Sequence, residues 1–240
     1  MTDQSTEKVA IIIGASRGIG AGLVDAYCKL GYRVIANSRT IGESSQPEVV
    51  TVAGDVADAT MAQRLVEVAV SRFGRVDTLI NNAGAFLAKP FTEYAPEDFE
   101  LVTSVNTVGF FHTTQWVISQ MLAQGGGGHI INVTSVLAEQ GQTAVRSVLT
   151  ALTKGGLNAA TKSLAIEYAA QGIRVNTISP GVIDTPIHAG VDAHCMYAQM
   201  HPQNRIGVIA DVVHGALYLE NTPFVTGEIL HIDGGQSAGH

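Results

Sequence analysis

The chain alternates short unbroken apolar runs with longer stretches in which apolar residues recur every three to four positions. The runs Val9 to Ile13, Arg33 to Asn37, Val49 to Val52, Thr78 to Asn81, His129 to Val133, Arg174 to Ile178 and Glu228 to Ile232 are rich in Val and Ile. They do not alternate with polar residues, which is the pattern of strands covered on both faces. Ile19 to Leu30, Ala59 to Phe73, Asp98 to Gln124 and Ser147 to Ala170 carry the helical period. This succession predicts an α/β fold, a Rossmann-type doubly wound parallel sheet of seven strands in a single domain over 1–240. Gly125 to Gly128 reads as a helix stop and turn. Between Arg39 and Glu48, Gly42, Ser44, Ser45 and Pro47 allow only a stub of helix. Residues 183–205 lack a clean period and read as a substrate lid beyond a strand end.

Several residues with chemical potential fall at the predicted carboxyl ends of these strands, where ligands bind in open parallel sheets. Gly14-Ala15-Ser16-Arg17-Gly18-Ile19-Gly20 follows a strand and opens a helix. In that context glycines serve a tight turn, a close backbone approach to pyrophosphate and close helix packing, and the first-turn amides face the anion. Further along come Asp55-Val56, Asn81-Asn82-Ala83-Gly84, Asn106, Ser135, Lys154, and Pro180-Gly181 with Ile183 and Thr185 beyond.

This ordered set, with the fragment Val175-Asn176-Thr177-Ile178-Ser179-Pro180-Gly181, resembles the short-chain dehydrogenase/reductase family over nearly the whole chain. The resemblance implies that Asp55 binds adenine and that Asn82 and Ala83 line the adenosine ribose. It also implies that Thr185 bonds the nicotinamide carboxamide and that Lys154 holds the nicotinamide ribose. Ser135 would bond the substrate carbonyl and Asn106 would support a water relay. Subunits of such relatives commonly assemble as homotetramers.

One position departs from the family. Thr150 stands four residues before Lys154, where relatives carry the proton-donating tyrosine, and the chain has no tyrosine between Tyr94 and Tyr168. A threonine hydroxyl is a far weaker acid than a phenol. Alternative donors are Tyr197 and the histidines His188, His194 and His201 of the lid, or water held by Lys154. Cofactor choice is a matter of charge. Asn37-Ser38-Arg39 offers no acid to the ribose 2′-hydroxyl, and Arg17 and Arg39 suit a 2′-phosphate, so NADP(H) is expected. The sequence thus predicts an NADP(H)-dependent oxidoreductase acting on a small carbonyl, alcohol or imine-like molecule. The alternative is a catalytically silent NADP(H)-binding sensor or partner subunit.

Composition narrows the remaining classes. With 46% apolar residues in 240, the chain can bury a large core, and a net charge of −7 argues against a nucleic-acid partner. Cys28 and Cys195 form neither a disulfide framework nor a metal spacing. The polar N-terminus and the short run Val9 to Ile13 predict neither a signal core nor a membrane span, hence a cytoplasmic protein.

Overall fold

Every apolar run becomes a strand of one parallel sheet, ordered β3-β2-β1-β4-β5-β6-β7. In chain order the strands are β1 (Val9–Ile13), β2 (Arg33–Ser38), β3 (Val49–Ala53), β4 (Thr78–Asn81), β5 (Gly128–Val133), β6 (Ile173–Pro180) and β7 (Ile229–Ile232). The computed structural model describes residues 7–186 and 194–239. The order in which strands are added reverses between β1 and β4, which lie side by side and parallel with Ile13 opposite Asn81. A crevice therefore opens there at the carboxyl ends.

Helices cover both faces. On one side α1 (Gly18–Lys29) and α7 (Ile209–Asn221) pack on Ala10, Ile12, Ile80 and Ile131. On the other, α2 (Ala59–Phe73), α4 (Gly109–Gln124) and α5 (Val148–Tyr168) cover Ile11, Ile13, Leu79 and Ile130. Alternating side chains along each strand feed the two cores in turn. Local signals set the ends of α2: the Asp58 carboxylate caps the Thr60 amide, and Gly74 closes the helix at φ 80°.

Four differences from the expected elements are informative. The segment 39–48 forms no helix. The predicted helix Asp98 to Gln124 is divided into α3 (Pro96–Thr103), a π-turn at Ser104–Val108 and α4. The turn's extra residue swings Asn106 out of register toward the crevice, where backbone groups of Ala85 satisfy it. Within the expected lid, α6 (His194–Gln199) is helical and residues 187–193 lie outside the described residues. The helix α7 was not anticipated, although Val212, Ala216 and Leu219 are buried at helical spacing. No helix among the described residues is long and apolar enough to cross a membrane.

Candidate functional site

The crevice begins with the glycine turn after β1. Gly14 and Gly18 adopt φ of 77° and 59°, conformations that L side chains rarely take. A Cβ on Gly14 would come within 2.9 Å of the Ala83 backbone, and one on Gly20 would strike the Gly14 carbonyl. The Asn82 amide locks this contact by donating to the carbonyls of Ile13 and Gly14 at 3.2 and 3.1 Å. Asn82 and Ala83 thus meet the turn directly. Thr185 closes over it from the β6 side, 3.5 Å from where a Gly18 Cβ would stand. Ile19 and Gly20 begin α1, whose cap residue Arg17 is exposed.

At the end of β2 the predicted residues separate into two kinds. Asn37 is buried, and its side chain donates to the carbonyls of Val52 and Gly54, so what it gives the glycine turn is its own carbonyl, bonded to the amides of Gly14 and Ala15. Ser38 instead reaches the turn, with its hydroxyl 2.9 Å from that of Ser16. Arg39 is exposed beside them. After β3, Asp55 is exposed and accepts from the Ala57 amide at 3.0 Å, while Val56 is buried against Gly109.

The centre of the crevice is a buried cation. Lys154 is almost fully enclosed and donates from Nζ to the Val133 carbonyl at 2.8 Å. Burial lowers its pKa to about 8. Gly84 lies between Lys154 and Asn106: a Cβ there would be 3.4 Å from Nζ and 3.6 Å from Asn106 Oδ1. Asn106 is fixed on three sides, accepting from the Ala85 amide at 2.8 Å and donating to the Ala85 carbonyl and to Thr153 Oγ1, both at 3.1 Å. Thr153 precedes Lys154 on α5, so the π-turn and the lysine-bearing helix are tied together.

Ser135 follows β5. Its Oγ accepts from the Leu137 amide at 3.2 Å, which leaves the hydroxyl hydrogen available to another acceptor. Thr150, one turn before Lys154, is buried, and its hydroxyl has no hydrogen-bond partner among the described residues. Pro180 ends β6, Gly181 follows it, and Ile183 is buried and bridges Gly207. Tyr197 stands half-buried on α6, with its carbonyl accepting from His201 Nδ1 at 2.8 Å. His201 Nε2 accepts from the Val182 amide at 3.0 Å, so both ring nitrogens are engaged. His188 and the side chain of His194 lie outside the described residues.

A cavity of about 360 Å³ opens elsewhere, lined by Val182, His201, Arg205, Asp211 and His214 among others. It includes Ile183 but none of Ser135, Thr150 and Lys154. The buried cation and the glycine turn make the crevice the better candidate for chemistry. Two of its fixtures escaped the sequence reading: Thr153, which looks like an ordinary helix residue, and the Val133 carbonyl, which no side-chain pattern marks. Among the described residues no group of His, Cys, Asp and Glu has the arrangement of a metal centre.

A doubly wound sheet with a glycine turn, a helix-borne lysine and a strand-end serine defines a dinucleotide-dependent oxidoreductase site. Residues 14–237 match the family model described as enoyl-(acyl carrier protein) reductase, and the chain belongs to the short-chain dehydrogenase/reductase family, which binds NAD(P)(H). It is 34% identical over 247 residues to the granaticin polyketide synthase putative ketoacyl reductase 2 of Streptomyces violaceoruber, covering 98% of both chains. It is 32% identical over 243 residues to the 3-oxoacyl-(acyl-carrier-protein) reductase of Synechocystis, covering 96% of this chain and 97% of the relative. Among solved structures, ElxO with NADP bound superposes with a TM-score of 0.90 at 29% identity, over 97% of this chain and all of that one. The Brucella melitensis 3-ketoacyl-(acyl-carrier-protein) reductase complexed with NADH gives 0.89 at 30% identity, again over 97% of this chain and all of that one.

Proposed function

We propose that this oxidoreductase uses NADP(H) to transfer hydride to or from a small carbonyl, alcohol or imine-like substrate, with an atypical proton donor. The observation that carries this reading is the buried Lys154, adjoining Gly84 and Asn106 at the strand edge that also bears the glycine turn. A cation held there without a carboxylate partner among the described residues suits a hydroxyl-rich, polyphosphate ligand. The positive φ of Gly14 and Gly18 and the close Ala83 backbone suit its pyrophosphate. When bound, the nicotinamide supplies or accepts the hydride.

The chain's own residues account for the rest. Lys154 holds the ribose, kept in line by Val133. Ser135 donates its free hydrogen to the substrate oxygen. Thr150 offers a hydroxyl to substrate or to water, and the proton arrives from that water or from Tyr197 on α6. Ketoacyl reductases among the relatives favour a carbonyl acceptor. Iminium acceptors need the missing acid least, since they already carry the proton. For the cofactor, the exposed Arg17 and Arg39 flank the Ser16–Ser38 contact, and no acid stands at the end of β2. Fluorescence titration should show NADPH binding more tightly than NADH; tighter NADH binding would refute the assignment.

Activity is tested by following NADPH absorbance against ketones, aldehydes and cyclic imines. Thr150 favours one second reading, a silent NADP(H)-binding sensor or partner subunit. Silence across a broad panel with tight NADPH binding would select it. We further propose a cytoplasmic homotetramer, supported by Phe111, Trp116, Leu152 and Ile166 exposed on α4 and α5. Light scattering should give the mass of four 25.2 kDa chains.

A further inference from the structure

Six buried side-chain polar atoms lack a hydrogen-bond partner among the described residues, and four of them belong to Asn158, Ser179 and Gln236. Their positions converge. The hydroxyls of Thr161 and Thr177 touch at 2.7 Å, so the face of β6 that bears Thr177 looks toward α5. Ser179, two residues on, shares that face, as does its register partner His231 on β7. In the β5–α5–β6 crossover the helix runs against the strands. Three residues back from Thr161, about 4.5 Å of helix rise, and two residues forward from Thr177, about 6.6 Å of strand, run the same way along the sheet and set Asn158 beside Ser179.

Side-chain hydrogen bonds close the ring. Asn158 Nδ2 donates to Glu139 Oε1 at 2.7 Å, and Glu139 Oε2 lies 2.9 Å from His231 Nε2. Gln140 Nε2 donates to the Ser237 carbonyl at 2.6 Å, drawing the turn that holds Gln236 onto the same loop. Left unmet, Asn158 Oδ1, Ser179 Oγ and both polar atoms of the Gln236 amide would together cost a large share of a domain's net stability. A cation would be opposed by the Gln236 amide hydrogens, and an anion by Asn158 Oδ1. Water both donates and accepts, and buried water commonly serves such groups.

We propose that Asn158, Ser179 and Gln236 enclose a binding site for internal water that joins the Ser135 loop, α5 and the last strand, and so positions Ser135. The water site stands on its own; its catalytic consequence rests on the hydride-transfer reading above.

A high-resolution crystal structure of the whole chain should show at least one water bonded to Asn158 Oδ1, Ser179 Oγ and the Gln236 amide. A dry gap, or these atoms paired with protein groups, overturns the proposal. Gln236→Met nearly preserves shape and removes the amide, so losing the water should lower Tm by about 2–4 °C. Unchanged or raised Tm overturns it, because deleting unmet polar atoms would bring relief. Ser179→Ala provides the same reading should Gln236→Met fail to fold. In either variant the acceptor KM should rise about threefold or more with NADPH affinity unchanged, a split that general loosening would not give. An unchanged KM overturns the positioning role. Absence of turnover in the unmodified protein would count against the hydride-transfer reading and leave the water and Tm results standing.

Discussion

Asn106 Nδ2 donates to Thr153 Oγ1 at 3.1 Å, so a π-turn between α3 and α4 is bonded to α5 one residue short of the buried Lys154. Two elements far apart in sequence therefore hold the cation's surroundings as one unit. Thr153 in turn donates to the Leu149 carbonyl at 2.8 Å, which prevents its hydroxyl from rotating away.

Replacing Asn106 tests that unit directly. Asn106→Ala strands the Ala85 amide and carbonyl and removes the hydrogen bond that Thr153 Oγ1 accepts. A loss of about 2 kcal/mol is expected, seen as a Tm lower by about 4–8 °C. NADPH affinity should fall with it in a titration, because Gly84 and Lys154 lose their spacing.

The pH response of Lys154 has two opposed parts. Burial lowers its pKa from 10.5 to about 8, so the folded state gives up the proton more readily than the unfolded chain. The penalty is full below pH 8 and is relieved as pH rises toward 10.5, so this group makes stability increase across that window. Cofactor holding should run the other way, since the ammonium is lost through the same range. Melting curves and NADPH titrations between pH 7 and about 10 should diverge; parallel trends would contradict the burial argument.

Thr150→Tyr asks whether only an acid is missing. With Lys154 one turn away on the same helix face, a phenol at 150 should raise ketone reduction by about 10²–10⁴-fold. Steady-state assays with NADPH measure it, and no gain would show that the Ser135–Thr150 segment departs from the geometry that a phenol needs.

Glu220 governs acid stability at the opposite end of the sheet. Burial alone would raise its carboxyl pKa, but hydrogen bonds from His129, Tyr32 and Tyr27 prevail and bring it down to about 2. The stabilisation is complete above the ordinary value of 4.5 and disappears as pH falls toward 2. Glu220→Ala, which leaves Tyr27, Tyr32 and His129 without their common acceptor, should cost about 3 kcal/mol or more at neutral pH. Urea titrations should show the variant losing less stability than the parent between pH 5 and about 2.

Periodicity alone located the sheet and most helices. Val9–Ile13, Ala59–Phe73 and Thr78–Asn81 end where the residue pattern ends, because burial on both faces and the caps Asp58 and Gly74 act within a few residues. The glycine spacing also marked the tight turn after β1, since a positive φ at Gly14 is a local demand that only its own residue type meets cheaply. Other features lay beyond any local pattern. The helical period runs unbroken through Ser104–Val108, and only the bonds from Asn106 to Ala85 and Thr153 show why a π-turn interrupts it. Asn37 looked like a ligand residue until the sheet turned its amide onto Val52 and Gly54. The chain by itself determined which segments are strands and helices and which residue types stand at their ends, because those choices depend on neighbours in sequence. The direction of each polar side chain, the burial that shifts Lys154 and the convergence of Asn158, Ser179 and Gln236 depend on neighbours in space, and only the tertiary structure decided them.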